Sequence, residues 1–158
     1  MIPSSMEAGN IARILKEGYD VGVLSRGLNA AVSELELDVL LIDTHPGLNE
    51  ETLLSLALSD TLFVVLRPDQ QDFEGTGVTI RVAERLKVQN TYVIINKIPD
   101  TYNRSDITAQ VENTFDTKVA AAIPHCDELM TLGSQGIFSL KYPDHCVTEL
   151  YQHIADRT

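Results

Sequence analysis

Residues 40–53, LLIDTHPGLNEETL, run from an apolar stretch into an aspartate, a Pro46-Gly47 turn and an acidic helix start. A carboxylate at the tip of a buried strand can orient water on a magnesium ion, because a hard cation prefers carboxylate and water oxygens. A glycine four residues on can bring a backbone N–H to a terminal phosphate with no Cβ in the way. Asp43 and Gly47 are therefore the first candidates, and phosphate handling is the chemistry their spacing suggests. A plain capped turn would use the same two residues, so the elements around them have to decide.

Those elements alternate. Residues 38–43 (DVLLID), 61–66 (TLFVVL), 91–96 (TYVIIN) and 118–122 (KVAAA) are short apolar runs that suit strands buried on both faces of a parallel sheet. Between and around them, apolar residues recur every three or four positions: Val21, Leu24, Leu28, Val32 and Leu35, then Val78, Val82 and Leu86. Ile107, Val111 and Phe115 follow the same spacing, as do Val147, Leu150 and Ile154, and each set marks an amphipathic helix. Asn49 and Ser105 are the expected N-caps of their helices. Strand and helix in alternation predict an α/β fold, doubly wound on a mainly parallel sheet of at least four strands. One domain of 158 residues accommodates it.

In such a sheet ligands bind beyond the carboxyl ends of the strands. The segments there are Asp43–Gly47, Arg67–Asp72 with the Gly75-Thr76-Gly77 turn, Asn96–Asp100, and Ile123–Asp127. All four should share one rim, and all are rich in polar groups.

The stretch LLIDTHPGLNEETL resembles the switch II, or Walker B, segment of the MinD/ParA family of deviant-Walker P-loop ATPases. The likeness continues through SDTLFVVLRPDQQDFEGTGVTIRVAERL, YVIINKIPD and AAIPHCDELMTLGSQGIFSLKYPDH, in the family's order, over roughly residues 2–155. The resemblance implies ATP and Mg2+ as cofactors. Asp43 would hold the metal through water and serve catalysis, and Gly47 would sense the γ-phosphate. Asn96 would hydrogen-bond the adenine edge beside Lys97, with Pro124 and the segment through Asp127 closing over the base. The Asn96-Lys97 pair is also similar to the base-reading motif of GTPases, but Asp100 stands three places after Lys97 instead of two, so guanine selectivity is not supported.

One departure bears on activity. The family opens with a glycine-rich phosphate loop after its first strand, and the nine glycines here include no G-x-x-x-x-G-K-[ST]. Backbone N–H groups of such a loop do most of the work of holding polyphosphate. The expectation is a P-loop NTPase (Rossmann-like) fold without its first strand and phosphate loop, corresponding to the C-terminal portion of the ATPase domain. Such a chain would not hydrolyse ATP alone. The first strand of the family lies between those ending at Asp43 and starting near Thr61, so these two must either pair directly or leave an open edge that recruits another chain. A homo-oligomer, or an N-terminal segment supplied from elsewhere, would complete the sheet. The family role would be an ATP-dependent dimerisation switch in positioning, division or partitioning, with a protein partner or activator. The alternative is a non-catalytic interaction module of the same fold.

The formal net charge of −11 argues against nonspecific binding to nucleic acid or anionic lipid, both of which attract basic faces. The expected helix at 145–156 has only Arg157 as a neighbouring cation, unlike a basic amphipathic membrane tail. The start, MIPSSMEAGN, lacks signal-peptide features, and Cys126 and Cys146 then read as reduced thiols of a cytoplasmic protein. His125-Cys126 and His145-Cys146 invite a zinc reading, but adjacent His and Cys ligands are sterically awkward, and the sequence does not favour that tetrad.

Overall fold

A computed structural model describes residues 21–158, so the MIPSSMEAGN start lies outside the described residues. The chain divides into two compact units, 1–43 and 44–158. In the first, α1 (Val21–Glu34) carries the expected amphipathic stripe and ends in a turn at Leu35–Glu36, where Glu36 takes a positive φ. Residues 38–43, expected as a strand, have no regular secondary structure, and Val39 and Leu41 are exposed.

The second unit begins with α2 (Glu50–Leu58), whose N-terminus is capped as expected by Asn49: its side-chain oxygen accepts from the Thr52 N–H at 2.8 Å. Then follow β1 (Thr61–Leu66), α3 (Gln70–Leu86), β2 (Asn90–Ile98), α4 (Arg104–Phe115) and β3 (Lys118–Pro124). Three short helices close the chain: α5 (Asp127–Leu132), α6 (Phe138–Lys141) and α7 (Cys146–Ala155). The cap of α4 is Asn103 rather than Ser105. The Asn103 side chain accepts from the Ser105 N–H at 2.9 Å, so the helix begins one residue before the expected cap.

The sheet is parallel, in the order β1-β2-β3, and among the described residues has three strands where at least four were expected. Apolar composition made residues 38–43 a strand in the sequence; a strand also needs a hydrogen-bonding neighbour, and the described residues give this segment none. The three formed strands are covered on both faces, as the doubly wound reading requires. On one face Val64, Leu66, Val93, Ile95 and Ile98 pack with Ile80 of α3 and with Ile107 and Val111 of α4. On the other, Ile94, Ala121 and Ile123 pack with Leu132, Phe138 and Val147 from the three C-terminal helices. Val93, Ile94 and Ile95 are buried in succession along β2, because their side chains leave opposite faces of the pleat and helices cover both faces.

Candidate functional site

The carboxyl ends of β2 and β3 form the most featured part of the second unit. Ile95 of β2 pairs with Ala122, and Ile98 pairs with Pro124, so three residue steps on β2 oppose two on β3. The extra residue makes a bulge at Asn96-Lys97, and Lys97 adopts φ +56°. Bulges re-aim side chains at strand ends, and a non-glycine residue in the left-handed region is uncommon enough to mark this one. The Asn96 side-chain oxygen, Oδ1, accepts the Lys97 N–H at 2.9 Å, which holds the amide at the edge of the adjoining cavity. From the other side, the His125 N–H donates to the Ile98 carbonyl at 2.8 Å and draws the loop after β3 against β2.

Between these strand ends and helices α5 and α7 lies a cavity of about 220 Å3. Val65, Ile94, Ile123, Leu129 and Ile154 give it an apolar floor, and Asn96, Lys97, Pro124, His125, Cys126 and Tyr151 add the groups capable of orienting a ligand. An apolar cleft with a few convergent polar groups is the usual form of a small-molecule site, although this volume sits just below the common range of about 300–1,000 Å3. It suits one flat ring better than a whole nucleotide. Burial pushes the Tyr151 hydroxyl above its ordinary pKa, and burial likewise pushes up the Cys126 thiol.

The expected site residues distribute unevenly. Asn96, Lys97 and Pro124 come together at this cavity. Asp127 stands beside it as the first residue of α5, its carboxylate exposed and 3.1 Å from His125 Nε2. Gly47 is not part of the lining; it holds φ +96° in the loop before α2, a conformation that favours glycine. Asp43 ends the first unit, exposed, in the segment without regular structure. Cys126 falls in the segment expected to close over the base, whereas Tyr151 was not anticipated as a lining residue. Tyr151 follows directly on Leu150 of the apolar stripe of α7, and that adjacency was the available signal.

The rim continues after β1. Asp72 on the first turn of α3 accepts the Arg67 backbone N–H at 2.9 Å and its Nε at 3.1 Å, while Asp69 caps the helix by accepting the Asp72 N–H at 3.0 Å. Arg67 thereby holds the Asp72 carboxyl below its ordinary pKa. No helix among the described residues is long and apolar enough to cross a membrane.

Among solved structures, the MinD cell division protein of Aquifex aeolicus superposes with a TM-score of 0.74, over 87% of this chain and 60% of that one. The fold is that of MinD. The sequence identity is 14%, and the resemblance to MinD/ParA ATPases read from the motifs is borne out at the level of fold. A second MinD chain, from a MinC:MinD complex of the same organism, gives a TM-score of 0.72 at 14% identity, covering 87% of this chain and 58% of that one. A curated relative, an uncharacterized ATP-binding protein of Methanocaldococcus jannaschii, is 22% identical over 120 residues, 75% of this chain. The chain spans 45% of that relative's length. No family model matches the chain.

Proposed function

We propose that this chain is part of a MinD/ParA-like ATPase and contributes the portion that receives the nucleotide base. The observation that carries this reading is the β2–β3 cavity, which gathers Asn96, Lys97 and Pro124 at the carboxyl end of a MinD-type sheet. The Asn96 amide would read the adenine edge, Pro124 would pack on the ring, and the segment through Asp127 would close beside it. The name of the Methanocaldococcus relative, an ATP-binding protein, supports adenine over other bases. In the complete switch, Asp43 would orient water on Mg2+ and Gly47 would meet the γ-phosphate, with ATP driving dimerisation. Positioning, division or partitioning is the role proposed for the whole. The MinC:MinD complex supports a protein partner as the downstream reader.

The reading predicts base-led binding that is weak and largely indifferent to magnesium, with no hydrolysis, because no G-x-x-x-x-G-K-[ST] loop cradles the phosphates. Titration of the 158-residue chain with a fluorescent ATP analogue, with and without magnesium, tests it. Asn96→Ala should weaken binding by about tenfold, equivalent to about 1.4 kcal/mol. Magnesium-dependent binding that Asp43→Ala abolishes would mean that the chain builds a full phosphate site and that the base-only reading is wrong. A second reading, a non-catalytic interaction module, is favoured by the absence of strand structure at 38–43. No nucleotide binding at millimolar concentration would select it.

A further inference from the structure

We propose that Cys126, Glu128 and His145 form a binding site for a thiophilic divalent cation, with zinc the best match to the ligand set. One ligand atom from each residue lies within 4.8 Å of the other two. The proposal does not depend on nucleotide binding.

The three residues reach this place from two elements. Cys126 is the N-cap residue of α5, Glu128 is on its first turn, and His145 is the N-cap residue of α7. Both helices pack on the same face of the sheet, through Leu132 and Val147, and Cys126 is itself part of that core. Local bonds already hold the sulfur and the carboxylate together: Cys126 Sγ accepts the Leu129 N–H at 3.4 Å and donates to Glu128 Oε2 at 3.4 Å. The His145 ring stands edge-on to Phe138 with centroids 5.2 Å apart, which restricts its rotation. In tetrahedral zinc the bonds of about 2.0–2.3 Å place neighbouring ligand atoms about 3.3–3.8 Å apart, so the cluster needs to contract by only about 1 Å.

Thiolate and imidazole select zinc over magnesium or calcium, and the carboxylate completes a mixed S, N, O set. As the zinc–sulfur bond forms, the thiol proton leaves to solvent; thiolate and carboxylate then balance the two charges of the cation. Glu128 is exposed, so the fourth position opens to water. His145 Nδ1 accepts the Val147 N–H at 3.1 Å. Ligation through Nε2 transfers the ring proton to Nδ1 and gives up that bond, whereas ligation through Nδ1 replaces it directly. In either case the cation substitutes for a cap of α7 and ties the start of α7 to the start of α5. Cys126 also lines the β2–β3 cavity, so the cation fixes one of its walls.

Cobalt(II) titration of the purified 158-residue chain, followed by the thiolate-to-cobalt charge-transfer absorption, tests the site. A band saturating at a single equivalent and displaced by zinc is the expected result. Cys126→Ser should abolish it, and Glu128→Gln and His145→Gln should each weaken binding by about tenfold or more. Cys146→Ser and His125→Gln should leave it unchanged. No band, a band surviving Cys126→Ser, or a band lost with Cys146→Ser alone would overturn the proposal. Should Cys126→Ser fail to fold, exposed Glu128 decides: wild-type affinity in a Glu128→Gln chain with native circular dichroism rejects the three-ligand site.

Discussion

Ile94 and Ile95, consecutive on β2, pack into different cores on opposite faces of the sheet. Ile95 is fully enclosed, while Ile94 borders the cavity at the strand ends. Truncation at Ile95 leaves a void that neither solvent nor a neighbour fills, and Ile95→Ala should lower stability by about 2–5 kcal/mol. Ile94→Ala should cost less, because its space merges with a cavity already open to water. Urea unfolding of both variants checks this, and an equal or larger loss at Ile94 would contradict the assignment of the two faces.

The same strand explains what could be read from the sequence. Residues 61–66, 91–96 and 118–122 form strands as expected, because a strand covered by helices on both sides has to be apolar at nearly every position. Residues 38–43 have that composition without a strand, since composition records a demand for burial and says nothing of a pairing partner. The bulge at Asn96-Lys97 could not be read, because it is a register mismatch between β2 and β3. Adjacent His-Cys pairs drew attention in the sequence, but the fold instead brings Cys126 and Glu128 to His145 through the packing of α5 and α7 on one face. The N-cap of α4 was misplaced for a simpler reason: Asn103 and Ser105 are both good caps two residues apart, and the asparagine takes the role.

The Arg67–Asp72 pair gives the stability curve an acid limb. Hydrogen bonding to Arg67 lowers the Asp72 pKa in the folded chain below its ordinary 3.8. A carboxyl with a depressed folded pKa adds stability above its unfolded value and loses that contribution as pH falls through the folded one. Asp72→Asn should therefore lower the melting temperature at neutral pH. The difference from wild type should shrink as pH falls through that lowered folded value, where both forms become neutral at this position. A deficit that persists unchanged in acid would show that Asp72 acts by packing or hydrogen bonding alone.

Two glycines in α3 should respond differently to alanine. A Cβ at Gly75 meets nothing within 4 Å, whereas one at Gly77 comes 3.3 Å from Phe115 Cε1. Gly75→Ala should then deliver the full helical gain of about 0.5–1 kcal/mol. At Gly77 that gain is opposed by displacement of Phe115, whose ring packs on Phe73 at 5.6 Å, so Gly77→Ala should be the less stable of the two. Thermal unfolding of the pair decides, and a more stable Gly77→Ala would mean that Phe115 moves freely.

Leu41 tests the status of residues 38–43 most directly, since its side chain is 80% exposed in a sequence that reads as a buried strand. As the structure stands, Leu41→Asp should change stability by no more than about 0.5 kcal/mol, the range of ordinary surface substitutions. If the segment were an inner strand of the sheet, the same change would bury an unpaired carboxylate and unfold the unit or shift its pKa strongly. Hydrogen exchange gives an independent readout: amides of 38–43 should exchange quickly, and those of Val93–Ile95 slowly. Slow exchange at 38–43 together with a severe Leu41→Asp defect would mean that this segment pairs in solution, and would return Asp43 to the tip of a strand.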